Sequence, residues 1–147
     1  MSDKNKNKII RIVLEIYILG VLSITFIVRE TMVLRIPDNR KMILEPFREF
    51  QAMIDQPNHF FWFMQIFLNI LLFVPFGCLL PCVSKHCRNL FITTAAGFLF
   101  SSFIETTQYI TGRGFTEIDD VINNTLGAFA GYLIFAIASK IYKQLNE

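Results

Sequence analysis

Residues 60–80 read FFWFMQIFLNILLFVPFGCLL, an unbroken stretch without a single charged side chain. At about 1.5 Å of rise per residue, a helix of that length covers the roughly 30 Å of a bilayer's hydrocarbon layer. Three further blocks repeat the signal. Residues 12–28 hold one charge, Glu15; residues 90–110 hold only Glu105; residues 121–139 hold none and are bounded sharply by Asp120 and Lys140. The blocks are continuous rather than spaced at a helical or strand period, which separates membrane spans from an ordinary buried core. With 53% of residues hydrophobic and only 18% charged, the chain also lacks the polar surface that a water-soluble domain needs.

These four blocks predict an all-α membrane protein with four transmembrane helices, at about 12–28, 60–80, 90–110 and 121–139. They fill over half of the 147 residues, so residues 1–147 read as a single membrane domain with no soluble domain beside it. The lysines at the start (Lys4, Lys6, Lys8) resemble the opening of a secretory signal, but the apolar run behind them is long and carries no small-x-small cleavage site, so it reads as a retained first span.

Orientation follows from Lys and Arg, which are enriched in cytoplasmic segments. The two ends and the short turn 81–89 carry Lys4, Lys6, Lys8, Arg11, Lys85, Arg88, Lys140 and Lys143 against Asp3 and Glu147, whereas segments 29–59 and 111–120 carry six basic and eight acidic residues. Both termini are therefore expected in the cytoplasm, with the long first connection outside. Pro37, Pro46 and Pro57 divide that connection, and between the last two, Phe47, Phe50 and Ile54 recur at helical spacing. A short external amphipathic helix between the first and second spans is expected, with Pro46 in its first turn, lying in the interface chiefly as an anchor. Covering the polar residues below it is the alternative role.

Polar side chains inside spans are costly unless paired or hydrated, so their positions carry the most information. Ser101, Glu105 and Gln108 share one face at the end of the third span. Asp120 and Asn124 open the fourth, with Gly127 and Gly131 continuing the same stripe. The second span contributes Gln65 and Asn69 at a similar level. The turn 111–120 brings Arg113 and Glu117, and Arg113 can pair with Glu105 or Asp120. Pro75, Gly77, Gly127 and Gly131 read as packing positions, the two last being compatible with contact inside one chain and with dimerisation. Cys78, Cys82, Cys87 and His86 lie together near the cytoplasmic end of the second span, but their spacing matches no common zinc pattern. No metal or cofactor is expected. Neither a phosphate loop, a nucleophile elbow nor a paired CxxC is present.

Three motifs, in this order, resemble the VanZ-like family of bacterial membrane proteins: Asn69-Ile70-Leu71-Leu72-Phe73-Val74-Pro75-Phe76-Gly77, then Glu105-Thr106-Thr107-Gln108, then Glu117-Ile118-Asp119-Asp120-Val121-Ile122-Asn123-Asn124-Thr125-Leu126-Gly127. The likeness covers roughly residues 44–132. Two positions depart from the family pattern: Ile43-Leu44-Glu45-Pro46-Phe47 lacks an Asn common in the first external segment, and Glu117 stands where Asp is usual. The resemblance implies a protein of the bacterial plasma membrane and cell envelope. Its founding member is associated with antibiotic resistance, as lowered susceptibility to teicoplanin, a lipid-bearing glycopeptide.

The expected functional cluster is thus Asn69, Glu105, Gln108, Arg113, Glu117, Asp120 and Asn124, facing outward and engaging an envelope precursor or a lipoglycopeptide antibiotic. Membrane lipids are the expected partners, and nucleic acid is not. Two other readings stay open: a membrane enzyme using Glu105 and Asp120 as acid and base on a lipid headgroup, disfavoured by the lack of a nucleophile, and a small ion-coupled carrier with Glu105 as its proton site.

Overall fold

The computed structural model describes residues 3–28, 42–112 and 116–146. Its first helix, α1 (Asp3–Ser23), runs on into a turn of π-helix (Ile24–Val28). A two-residue strand β1 (Met42–Ile43) and a short helix α2 (Arg48–Asp55) lead into α3 (His59–Val83). Then come α4 (Leu90–Thr111), a second short strand β2 (Thr116–Glu117) and α5 (Ile118–Leu145). Four helices contain segments long and apolar enough to cross a membrane, at Asn7–Phe26, His59–Val83, Leu90–Thr111 and Ile118–Leu145. The expected fold class, all-α with four membrane-spanning helices and a short helix between the first two, is the one observed. The helices outrun the apolar blocks because polar residues at their ends keep the backbone ladder going. Asn89 caps α4 by accepting from the amides of Phe91 at 2.9 Å and Ile92 at 3.2 Å, and Gly112, left-handed at φ 65°, closes it by donating to the carbonyls of Gln108 and Tyr109.

The polarity of the fold is inverted relative to a soluble bundle. Among the described residues the buried polar side chains, Glu49, Thr93, Ser101, Glu105, Gln108, Thr116, Asp119, Asp120, Asn123 and Asn124, outnumber the buried apolar ones, Leu14, Val21, Ala52, Phe73, Phe76, Ile104, Val121 and Ala128. Large apolar side chains stand outside instead, with Phe91 at 80%, Leu99 at 65% and Phe103 at 60% exposure. That distribution suits hydrocarbon as the solvent, where outward apolar groups cost nothing and polar groups must find partners inside.

The contact that organises the bundle is between α3 and α5. A side-chain carbon added at Gly131 would collide with the Val74 carbonyl oxygen and Gly77 Cα; one at Gly127 would strike the Ile70 carbonyl oxygen; one at Gly77 would strike the Ala128 carbonyl. Gly97 of α4 likewise leaves room for the Ala128 methyl. The glycine stripe therefore serves contact inside one chain, backbone against backbone. Pro75 cannot donate to the carbonyl one turn before it, yet α3 continues through it. Tyr17 of α1 donates its hydroxyl to the adjacent Leu72 carbonyl, tying the first helix to this altered turn.

On the end of the bundle where α3 begins, β1 and β2 form a parallel bridge that sets Met42 opposite Thr116 and Ile43 opposite Glu117. The two connections that the charge pattern assigns to one side are thus joined directly, a pairing that two-residue strands leave no sequence period to announce. Above it, α2 buries Glu49 and Ala52 and turns Phe50 and Ile54 outward, at 51% and 58% exposure. The apolar stripe read from the sequence is real, but it turns outward, and the face that meets the rest of the protein is that of Glu49 and Ala52. The helix also starts later than expected. Phe47 sits in the left-handed region at φ 62° and breaks the run, so Pro46 precedes the N-cap instead of occupying the first turn.

Gly131→Ala should lower the thermal stability of the detergent-solubilised protein by about 1–3 kcal/mol, the usual cost of over-packing a tight contact. Gly20→Ala, where an added carbon meets nothing within 4 Å, should leave stability unchanged or slightly raised. Thermal unfolding of the two variants side by side checks this.

Candidate functional site

The amino-terminal turns of α5 carry two doublets, Asp119-Asp120 and Asn123-Asn124. Members of each doublet are about 100° apart around the helix, so Asp120 with Asn124 forms one stripe and Asp119 with Asn123 another. The two stripes meet different neighbours.

The Asp120 stripe turns toward α3 and α4. Asn69 donates from Nδ2 to Asp120 Oδ1 at 2.5 Å, and Asn124 donates from Nδ2 to Ser101 Oγ at 2.9 Å. Glu105 lies at the start of α5: its Oε2 accepts from the Glu117 amide at 3.1 Å, and its carbonyl accepts from Thr116 Oγ1, also at 3.1 Å. A carboxylate beside free helix amides is favoured by both hydrogen bonding and the helix dipole, which supports burying Glu105 to 4% exposure. Gln108 is fully buried and donates from Nε2 to the Thr25 carbonyl at 3.2 Å, linking α4 to the π-helical turn of the first span.

Four of these residues, Asn69, Glu105, Asp120 and Asn124, line a cavity of about 540 Å³. Asn69, Glu105, Asp120, Asn124 and Gln65 supply its polar part, while Ile24, Leu68, Leu71, Leu72, Pro75 and Ile104 supply an apolar wall. Asn124 is 5% exposed, and its Oδ1 has no hydrogen-bond partner among the described residues. A space of this size with a mainly apolar wall and a few convergent polar groups has the character of a small-molecule site.

Of the residues singled out from the sequence, Asn69, Glu105, Asp120 and Asn124 line the cavity. Gln108 and Glu117 stand behind it and hold its walls through the bonds just given. Arg113 lies outside the described residues. Pro75 is part of the cavity wall as well as of the helix packing. The sequence reading confined the cluster to the second, third and fourth spans, whereas Tyr17 and Thr25 of the first span line it too. Among the described residues no group of three or more His, Cys, Asp or Glu side chains is placed to hold a metal ion.

The second stripe was missed. Asp119 accepts the Phe47 amide at 2.6 Å on Oδ1 and the Glu49 amide at 2.8 Å on Oδ2, while Asn123 donates from Nδ2 to Glu49 Oε2 at 2.9 Å. Helix α2 makes no side-chain cap of its own, so a carboxylate from α5 caps it across 70 residues of sequence. Its docking places α2 over the start of α5, where a further cavity of about 340 Å³ lies between them and α3, lined by Phe50, Ile66, Ile70 and Ile122 among others. The doublets themselves were the available signal: two identical residues in a row, repeated four positions on, give a helix two polar faces rather than one.

Asp119→Asn should loosen α2, because an amide group replaces a charged acceptor that holds two backbone amides. Hydrogen exchange of the segment 47–55 should quicken by about tenfold, the equivalent of about 1.4 kcal/mol for a lost charged cap. Asp120→Asn, which alters the acceptor of Asn69 on α3, should leave that segment unchanged.

Comparison with known proteins adds the following. Over 83 residues the chain is 35% identical to Protein VanZ from Enterococcus faecium, an overlap of 56% of this chain and 50% of that protein, so it matches about half of this relative's length. No solved structure matches the chain. The sequence profile named VanZ/LLP1 matches residues 14–139, from the first span to the last and across every cavity-lining residue named above. The chain therefore belongs to the VanZ/LLP1 family, and its four apolar helices are those of a multi-pass membrane protein.

Proposed function

We propose that this protein lies in the bacterial plasma membrane with both termini in the cytoplasm, and that its external polar site engages a lipid-tailed molecule of the cell envelope or a teicoplanin-type lipoglycopeptide, lowering susceptibility to such antibiotics. One observation carries the reading: a single cavity is lined both by carboxylate and amide groups and by the aliphatic side chains of Leu68, Leu71, Leu72 and Ile104. An amphiphile has that same division between headgroup and tail. Likeness to Protein VanZ, and the association of the family's founding member with teicoplanin, supply the class of antibiotic. The charge bias of the connections supports the orientation, and the bridge between β1 and β2 agrees with both outer connections lying on one side.

Expressed in a sensitive Gram-positive host, the wild-type protein should raise the inhibitory concentration of teicoplanin several-fold while leaving that of vancomycin, which has no lipid tail, near its starting value. Glu105→Gln and Asp120→Asn should abolish most of the increase at equal membrane abundance. Absence of a teicoplanin-selective shift for the wild type would sink the proposal. For orientation, green fluorescent protein fused after Glu147 should fluoresce and alkaline phosphatase fused at the same place should be inactive; the opposite result would place the polar site on the cytoplasmic side.

A further inference from the structure

Glu15 is the one charged residue in the apolar block 12–28, and the fold does nothing to shelter it. It is exposed on α1. No hydrogen bond or ion pair reaches it among the described residues. The membrane-crossing segment of this helix runs Asn7–Phe26, so Glu15 lies about 12 Å from one end and about 16 Å from the other, at 1.5 Å per residue. That is close to the middle of the hydrocarbon layer. A carboxylate there costs about 2.5–3.5 kcal/mol even on the most lenient scale, and such groups almost always face protein or water. The cavity offers no relief, because α1 presents Tyr17 to it and Glu15, two residues away, lies on nearly the opposite side of the helix.

One turn toward the amino terminus, on the same flank, stands Arg11, also exposed and also without a bond among the described residues. The two do not pair within the chain. Around them Ile12, Ile16 and Leu19 are outward at 43%, 64% and 63% exposure. A flank bearing both an acid and a base one turn apart is complementary to a copy of itself. Across a two-fold axis along the membrane normal, residue i of one copy meets residue j of the other and the reverse holds as well, so each pair is made twice. Parallel α1 helices would bring each Arg11 within reach of the partner copy's carboxylate, its long side chain bridging an offset of about 6 Å.

We infer that α1 is a homodimerisation surface, on which Glu15 of each protomer is neutralised by Arg11 of the other. The surface lies away from the polar cavity and stands independently of the function proposed for it. A lipid-facing Glu15 in a monomer is the opposing outcome.

The test uses full-length protein in native membranes. A photo-crosslinking amino acid placed at Leu19 should yield a covalent dimer on irradiation, whereas the same group at Phe98 on α4 or Leu133 on α5, both outward-facing, should not. Co-purification of two differently tagged copies should fall roughly tenfold in Glu15→Arg, which sets base against base, and recover in the charge-swapped double variant Arg11→Glu/Glu15→Arg. Thermal unfolding of each variant in detergent separates loss of association from loss of fold. Equal crosslinking at all three positions, no co-purification of the wild type, or a failure of the stable double variant to recover would overturn the inference.

Discussion

Where Gly131 meets the Val74 carbonyl and Gly77, two helix backbones touch with no side chain between them. In a membrane this contact cannot be driven by expulsion of water, since lipid tails are as apolar as leucine; it rests on close packing of the main chain. Its consequence is positional. With α3 and α5 fixed at that distance, Asn69 comes within hydrogen-bond reach of Asp120, and Asn124 within reach of Ser101 on the third helix of the set. The polar groups do not hold the bundle together alone. They are placed by glycines lying below them.

The same arrangement explains how so many polar side chains are carried into apolar spans. The buried carboxylates each accept from a neighbour: Asp120 from an amide side chain, Glu105 and Asp119 from backbone amides near helix starts, Glu49 from Asn123. Helix amino-termini suit carboxylates because their first amides lack partners within the helix and the dipole adds a favourable field. The site is thus built at a level in the membrane where α5 begins and α4 ends, and where free backbone groups are in any case present.

Much of this was legible beforehand, for a physical reason. Lipid demands long uninterrupted apolar runs, so 60–80 and 121–139 announce themselves, and a polar residue inside a span must have a use, which brings Glu105, Asp120 and Asn124 forward. What was not legible depended on rotation and on the nature of the outer solvent. Glu49 stands off the stripe of Phe47, Phe50 and Ile54, and because that stripe turns outward, Glu49 is left to meet the protein. Nothing in the sequence sets Tyr17 apart from the other aromatic residues of the apolar spans. Its role emerges only once Pro75 has left the helix ladder of α3 incomplete beside it.

The repeated doublets of α5 have a further geometric meaning. Turning that helix by the angle of one residue would replace Asp120 with Asp119 and Asn124 with Asn123, so the polar partners on α3 and α4 would meet the same chemistry in either setting. For the partners on α3 and α4 alone, hydrogen bonding leaves the register two-fold degenerate, although the same turn would set Ile118 and Ile122 where Asp119 and Asn123 hold α2. The glycines carry no such repetition: rotating Gly127 and Gly131 away from α3 brings Leu126 or Ala128, and Ala130 or Tyr132, toward carbonyl oxygens that tolerate no side chain. Steric exclusion by the glycines therefore works together with the docking of α2 to select between two polar alignments that α3 and α4 alone could not tell apart, like a keyway on a shaft.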